Sequence, residues 1–374
     1  MPNLAVDFNR EVYCVLGLPF DAITAADTVH RLQSAKDRRQ ACFLSTPNLN
    51  FLIGCRTNDS FRTSVLNSDL SICDGMPIVW LAHLLNISIP ERVSGSGVFE
   101  ALRTGSSQMA VFFFGGPDGV AETACAKLNS EATNKTSALS CAGFISPGFG
   151  SLDDMSAAPV IDQINDSEAD FLVVALGAKK GQLWIERNRS RITVPIISHL
   201  GAVVNFVAGT VNRAPRWMQI SGLEWLWRII EEPSLWRRYF ADGRAFIRLF
   251  VTCVLPYAWH LRRNPVATGD MVKASVSVLE EQGHTVIRLE GAWTKDNLLQ
   301  VREAFQRTVK HSTSITLDMT NTTHVDSAFI ALVMLLYGHQ KMVGCGFFVI
   351  GLRAGVRQVF KYSCADFILG NASD

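Results

Sequence analysis

Two short polar clusters in this 374-residue chain hold the residue types that acid–base chemistry needs. Thr46-Pro47-Asn48 and Cys73-Asp74-Gly75 each follow directly on an apolar run. A carboxylate placed there, partly withdrawn from water, could serve as a general base, an effect of about 10²–10⁴ in rate. Thr46 and Asn48 supply a hydroxyl and an amide that could hold a substrate hydroxyl or the carboxylate itself. The same residues also read as plain turn chemistry and a strand end. Further on, Gly115-Gly116-Pro117-Asp118 follows the run Met109–Phe114. Glycines at a strand-to-helix turn let backbone N–H groups approach a phosphate or ribose. Gly177-Ala178-Lys179-Lys180-Gly181-Gln182 follows another apolar run and reads as a nucleotide-diphosphate loop or a solvated one. The last cluster is Arg213-Ala214-Pro215-Arg216-Trp217, continuing through Glu224-Trp225-Leu226-Trp227-Arg228 to Trp236-Arg237-Arg238. Arginine forks onto phosphates and carboxylates and stacks on aromatic faces.

These clusters need elements to present them. Ala41–Thr46, Leu70–Cys73, Met109–Phe114, Phe171–Leu176 and Val194–Leu200 read as buried strands separated by helical patterns, one of them from the N-cap Asp118 to Leu128. Continuous apolar strands alternating with helices predict a Rossmann-like parallel α/β sheet with helices on both faces. Ligands of such sheets bind at the carboxyl ends of the strands, where every cluster named above falls. A dinucleotide fingerprint is missing from the sequence, and no Tyr-x-x-x-Lys pair falls within residues 1–263, which disfavours a dehydrogenase or epimerase.

Composition bounds the rest. Hydrophobic residues make up 48% and charged residues 18%, enough apolar material for a large core. The net charge of +1 hides a split. Residues 1–211 carry 16 basic and 20 acidic side chains, whereas residues 212–263 carry nine arginines, four acids and five of the eight tryptophans. An acidic domain next to that stretch, with no recognition motif, argues against nucleic acid as partner. Arginine and tryptophan on one helical segment suit an anionic membrane surface, or a helix packed on its own domain. Ala245–Leu261 is the most apolar run; Arg248 and Pro256 interrupt it, and it reads as interfacial or buried rather than spanning. The start of the chain lacks the basic and apolar regions of a signal peptide. The nine scattered cysteines read as reduced thiols. Both point to a cytoplasmic protein peripherally attached to the inner membrane face.

Taken in order, Thr-x-Asn, Asp-Gly, Gly-Gly-Pro, Gly-Ala-x-Lys and Arg-Ala-Pro-x-Trp with Glu-Trp-Leu-x-Arg and Arg-Arg-Tyr resemble the WecG/TagA/CpsF glycosyltransferases, glycosyltransferase family 26, over residues 10–240. The resemblance implies a metal-independent inverting enzyme without a cofactor. It would move a sugar from a UDP-sugar to a polyprenyl-diphosphate-linked saccharide in bacterial exopolysaccharide or cell-surface polysaccharide synthesis. It makes Asp74 the base, with Thr46 and Asn48 beside it and Arg92 near the substrate phosphates. Gly115, Gly116, Gly177, Lys180 and Gln182 would bind the nucleotide. Arg213, Arg228, Arg237 and Arg238 are cations for the two diphosphates. Where the family commonly reads Gly-x-Pro-Lys-Gln-Glu, this chain has Gly181 and Gln182 at the last two positions; Asn205 and Ser234 depart as well.

Beyond an Asn264–Gly269 linker, residues 271–374 read strand, helix, strand, helix, strand, helix, and resemble a STAS domain of the anti-sigma-factor-antagonist type. The supporting run is His324-Val325-Asp326-Ser327-Ala328-Phe329, in which Phe329 replaces the usual Gly and Ser327 is a candidate phosphorylation site. Three units are therefore expected: a transferase domain at 1–235, a basic aromatic appendage at 236–264 and the STAS-like domain. The STAS-like unit would dock a protein partner or support a homo-oligomer. The competing reading is a degenerate, non-catalytic scaffold that recruits polysaccharide-assembly partners through that unit.

Overall fold

The computed structural model describes residues 6–148, 150–265, 271, 273–281 and 283–370. The chain opens with an antiparallel hairpin, β1 (Val12–Val15) and β2 (Leu18–Asp21), buried along its whole length. Its turn places Leu16 and Gly17 at φ 47° and 88°, the left-handed pair that a tight hairpin requires. Gly17 is needed twice over, because a Cβ there would lie 2.6 Å from the Cys364 carbonyl oxygen.

Six strands then form one parallel sheet: β3 (Cys42–Ser45), β4 (Leu70–Ser71), β5 (Met109–Gly115), β6 (Leu139–Ile145), β7 (Phe171–Ala175) and β8 (Ile196–His199), in the order β4-β3-β8-β7-β5-β6. The expected architecture holds, with β6 and the opening hairpin added. Alternation within the strands feeds two cores: Leu44, Val111, Phe113 and Val173 point to one face, and Phe43, Phe112, Phe114 and Val174 to the other. The helices are α1 (Ala25–Asp37), α2 (Leu49–Thr57), α3 (Asp59–Leu66), α4 (Met76–Leu84), α5 (Gly95–Arg103), α6 (Val120–Thr133), α7 (Ala158–Asp166), α8 (Ala178–Asn188) and α9 (Gly201–Ala208). The N-cap of α6 is Gly119 rather than Asp118.

After α9 the basic segment forms α10 (Arg216–Ile220) and α11 (Glu224–Glu231), then a rod. The rod is α12 (Trp236–Leu249), a π-helical turn (Phe250–Val254) and α13 (Leu255–Arg263). At 1.5 Å per residue its 28 residues span about 42 Å. No helix among the described residues is long and apolar enough to cross a membrane.

The C-terminal unit has four strands, β9 (Ser275–Glu281), β10 (His284–Trp293), β11 (Ser314–Val325) and β12 (Phe347–Ile350), ordered β12-β11-β10-β9, with α14 (Leu299–Thr308), α15 (Ser327–Val343) and α16 (Ala354–Tyr362). Most of the expected linker, residues 266–270, lies outside the described residues. The unit is not a separate bead. One apolar cluster runs continuously from Phe8, the hairpin and α2–α4 through the rod into α15 and α16. Residues 327–336 of α15 are all buried, as an apolar helix held on all sides must be. The helix comes so near α3 that a Cβ on Gly338 would meet Asn67 Oδ1 at 2.7 Å and Leu66 Cβ at 3.0 Å. Lys341 pairs with Asp59 at 2.7 Å, and the Arg62 guanidinium lies 3.8 Å above the Phe367 ring.

Two expectations need correcting. Ser327 is 6% exposed, in the first turn of that enclosed helix, so its hydroxyl is not presented for phosphorylation. Asp326 caps the turn, its carboxylate accepting from the Phe329 and Lys295 amides at 2.9 and 2.8 Å. The cysteines are not all free either: Cys125 on α6 and Cys141 on β6 form a disulfide.

Candidate active site

The carboxyl ends of β3 and β4 bring the two polar clusters together. The Asp74 amide donates to the Pro47 carbonyl at 3.1 Å, and Asn48 Cβ would be 3.8 Å from a Cβ on Gly75. Thr46 is nearly buried at the strand end. Beside it, a Cβ at Gly95 would collide with Leu200 and lie 3.0 Å from Thr46 Cγ2. Only glycine lets the N-terminus of α5 close on β3 this tightly. That closeness aims the Gly95 amide at Asp74 Oδ2, 3.2 Å away.

Asp74 keeps 22% of its side chain exposed. Burial pushes its carboxyl pKa up; Arg92 and the Gly95 amide pull it down, and Glu224 adds to the rise. Arg92 Nη2 lies 3.3 Å from Asp74 Oδ1 and 2.5 Å from Glu224 Oε2, and Nη1 donates to the Gln219 carbonyl at 3.1 Å. Asn48 is part of the cluster with one end only. Its Oδ1 caps α2 by accepting from the Asn50 and Phe51 amides, and among the described residues its NH₂ makes no hydrogen bond. Two residues on, Asn50 Nδ2 donates to Asp242 of α12 at 3.2 Å, so the rod is tied to the same helix start.

The glycine loops open at the same sheet edge. Gly115 and Gly116 sit at φ 100° and 91°, and a Cβ on Gly115 would be 2.8 Å from the Ala175 carbonyl oxygen. Gly177 is exposed at the N-cap of α8, with open space around it. The rest of that loop differs from expectation. Gln182 is fully buried, its Nε2 bonded to Ser45 Oγ, so it braces α8 on β3 instead of facing a nucleotide. Lys180 Nζ donates to the Gly150 carbonyl at 2.6 Å. Among the described residues no hydrogen bond or ion pair joins either to the Asp74 cluster. The His199 ring fills the space that a side chain at Gly181 would need.

Arg213 borders a pocket of about 90 Å³ between α5 and α9, also lined by Ser96, Phe99 and Phe206. Arg228 stacks on the Phe206 ring at 5.5 Å, Arg237 on Trp236 at 5.7 Å and Arg238 on Tyr239 at 5.0 Å. Among the described residues these four arginines form no ion pair. Much of the aromatic surface of this segment faces outward: Trp217, Trp225, Trp236, Phe240 and Trp259 are exposed, as are Ile247 and, on α4, Trp80 and Leu84, whereas Tyr257 is buried and Phe246 and Phe250 pack on the core. No group of three or more His, Cys, Asp or Glu placed to share a metal ion occurs among the described residues. Sequence reasoning missed Glu224, whose only signal was an acid among the tryptophans of the basic segment.

Comparison with known proteins places both parts of the chain in families. A model of the glycosyl transferase WecG/TagA/CpsF family matches residues 13–259, and a model of the Mlab STAS domain matches residues 276–369. Two similar proteins are the N-acetylglucosaminyldiphosphoundecaprenol N-acetyl-beta-D-mannosaminyltransferases of Bacillus subtilis and Bacillus spizizenii. The first is 26% identical over 54% of this chain and 76% of its own length, the second 25% identical over 59% and 81%.

Proposed function

The chain belongs to the WecG/TagA/CpsF glycosyltransferase family, and from that premise we propose that it transfers a sugar from a UDP-sugar to a saccharide carried on a polyprenyl diphosphate, with Asp74 as general base. The relatives' names supply the acceptor class: they act on N-acetylglucosaminyl-diphospho-undecaprenol. The observation that carries the chemical assignment is Asp74 itself, a partly desolvated carboxylate at the joined ends of β3 and β4. In this reading an acceptor O–H gives its proton to an Asp74 oxygen while its own oxygen bonds to the anomeric carbon. The bond from that carbon to the UDP oxygen breaks on the opposite face, so configuration inverts and UDP leaves with the electron pair. Thr46 and the Asn48 amide hold the acceptor hydroxyl.

The departing UDP develops charge that must be met. Among the described residues Arg213, Arg228, Arg237 and Arg238 of the neighbouring segment form no ion pair, and the Gly115-Gly116 and Gly177 turns leave backbone open beside them. The reading therefore assigns charge neutralisation to side chains rather than a metal. The exposed tryptophans and arginines of α10–α13 seat the enzyme on an anionic membrane, where a polyprenyl substrate resides.

The experiment is UDP release from a panel of UDP-sugars with a polyprenyl-diphosphate disaccharide precursor, with and without EDTA. Asp74→Asn should lose at least about 10²-fold in kcat. Unchanged turnover in that variant rejects Asp74 as base, and a rate abolished by EDTA rejects the metal-free reading.

A further inference from the structure

Arg92 makes its closest contact with Glu224, not with Asp74. The guanidinium is 16% exposed and reaches three groups: Asp74 at 3.3 Å, Glu224 at 2.5 Å and the Gln219 carbonyl at 3.1 Å. The last two come from α10 and α11, which lie beyond the sheet. Arg92 therefore bolts these two helices to the catalytic edge, and Glu224 is the anionic end of the bolt. We propose that Glu224 is a positioning residue of the transfer reaction: it holds the Arg92 guanidinium to one side of Asp74, so that Arg92 flanks the base without clamping it. The proposal rests on the assignment of Asp74 as base.

The physical reason is competition for one cation. A guanidinium offers parallel N–H pairs that match a carboxylate in bidentate fashion. With Glu224 present, a single nitrogen, Nη2, is shared between the two acids, and Asp74 is the more distant. Asp74 Oδ2 keeps the Gly95 amide and a lone pair directed elsewhere. Removing the Glu224 charge frees Arg92 to close on Asp74 with both nitrogens. That would occupy the oxygen that takes the proton and stabilise the carboxylate. The charges acting on Asp74 are Arg92 and Glu224; the neighbouring Cys73 thiol is pushed up to about 12 by burial and stays neutral.

The direction of the pH effect follows. Glu224 raises the Asp74 pKa and Arg92 lowers it. Glu224→Gln removes the first influence and strengthens the second, so Asp74 becomes a weaker base that ionises at lower pH.

The test is the pH profile of kcat for the full-length wild type, Glu224→Gln and Glu224→Asp, with Asp74→Asn in parallel. Glu224→Gln should lose about 10-fold or more in kcat at neutral pH, with KM for both substrates held within about 3-fold. Its acid limb should move down by about one pH unit, the size expected when an acid gains a full cationic partner. Glu224→Asp keeps the charge and should recover part of both changes. An unmoved acid limb in Glu224→Gln, or a loss confined to KM, overturns the positioning role. Should Glu224→Gln fail to fold, Glu224→Asp decides: an acid limb moved down by part of that unit supports the role, and a wild-type profile or a kcat loss with no limb shift overturns it. If Asp74→Asn turns over normally, the base assignment has failed and the inference falls with it. If Asp74→Asn is inactive while the Glu224 profiles are unshifted, only the inference has failed.

Discussion

Replacing Gly338 tests whether the two sheets belong to one cooperative body. Gly338 lies in α15, opposite α3, and a Cβ there would meet Asn67 Oδ1 at 2.7 Å and Leu66 Cβ at 3.0 Å, with the Leu66 carbonyl carbon behind at 3.5 Å. For Gly338→Ala two effects oppose. Alanine gains about 1 kcal/mol over glycine in a helix interior. Overpacking costs about 1–3 kcal/mol, and the Asn67 amide can swing aside while Leu66 cannot. The expected net is a destabilisation of about 0–2 kcal/mol. Gly338→Leu adds three more carbons against backbone and should exceed about 3 kcal/mol, because the helices must separate. Separation would also break Lys341–Asp59 and lift Arg62 from Phe367. The assay is calorimetric melting with tryptophan fluorescence. A single transition should fall in both variants, further for leucine, because β1–β2, the rod and α15 share one core. A Gly338→Leu melt within about 1 °C of wild type would refute the close approach. Two separate transitions, with only the C-terminal one shifted, would refute the shared core.

Three other outcomes follow. Asp74→Asn should melt no lower than wild type at pH 7 while losing activity: the folded-state pKa of Asp74 is raised, so its charged form costs stability above the unfolded-state value, and the amide carries no such cost. Wild-type stability from this group therefore falls as pH rises through that window, and a marked drop in the Asn variant's melting temperature would contradict the sign. Asp21→Ala should cost about 3–5 kcal/mol in urea melts, because it strands the buried Arg10, which now holds Asp21 at 2.6 and 3.0 Å. Trp236→Ala/Phe240→Ala/Trp259→Ala should release the protein from phosphatidylglycerol vesicles in sedimentation without changing its melt, since these side chains are exposed; retention on the vesicles would remove the rod from the membrane surface.

The parallel sheet was legible because its strands are fully buried and therefore read as uninterrupted apolar runs. Thr46, Asn48 and Asp74 were legible because polar residues directly after such runs must fall at the binding edge. β6 was not, since its alternating exposure breaks the run, and β1–β2 was not, since it lies against the C-terminal unit instead of the sheet. The orientation of Gln182 and Lys180 was not legible for a related reason: position in a loop does not say which way a side chain turns, and one turns into β3 while the other takes a loop carbonyl.

By itself the sequence determined the class of fold, the family and the charge division between an acidic transferase and a basic aromatic segment. Those are properties of local pattern and composition, carried by neighbours along the chain. Tertiary structure alone decided that α15 is enclosed, that Ser327 is buried and that Glu224 pairs with Arg92. Each depends on contacts between residues far apart in the chain, Arg92 with Glu224 or Gly338 with Leu66, and no local periodicity encodes which distant surfaces will meet.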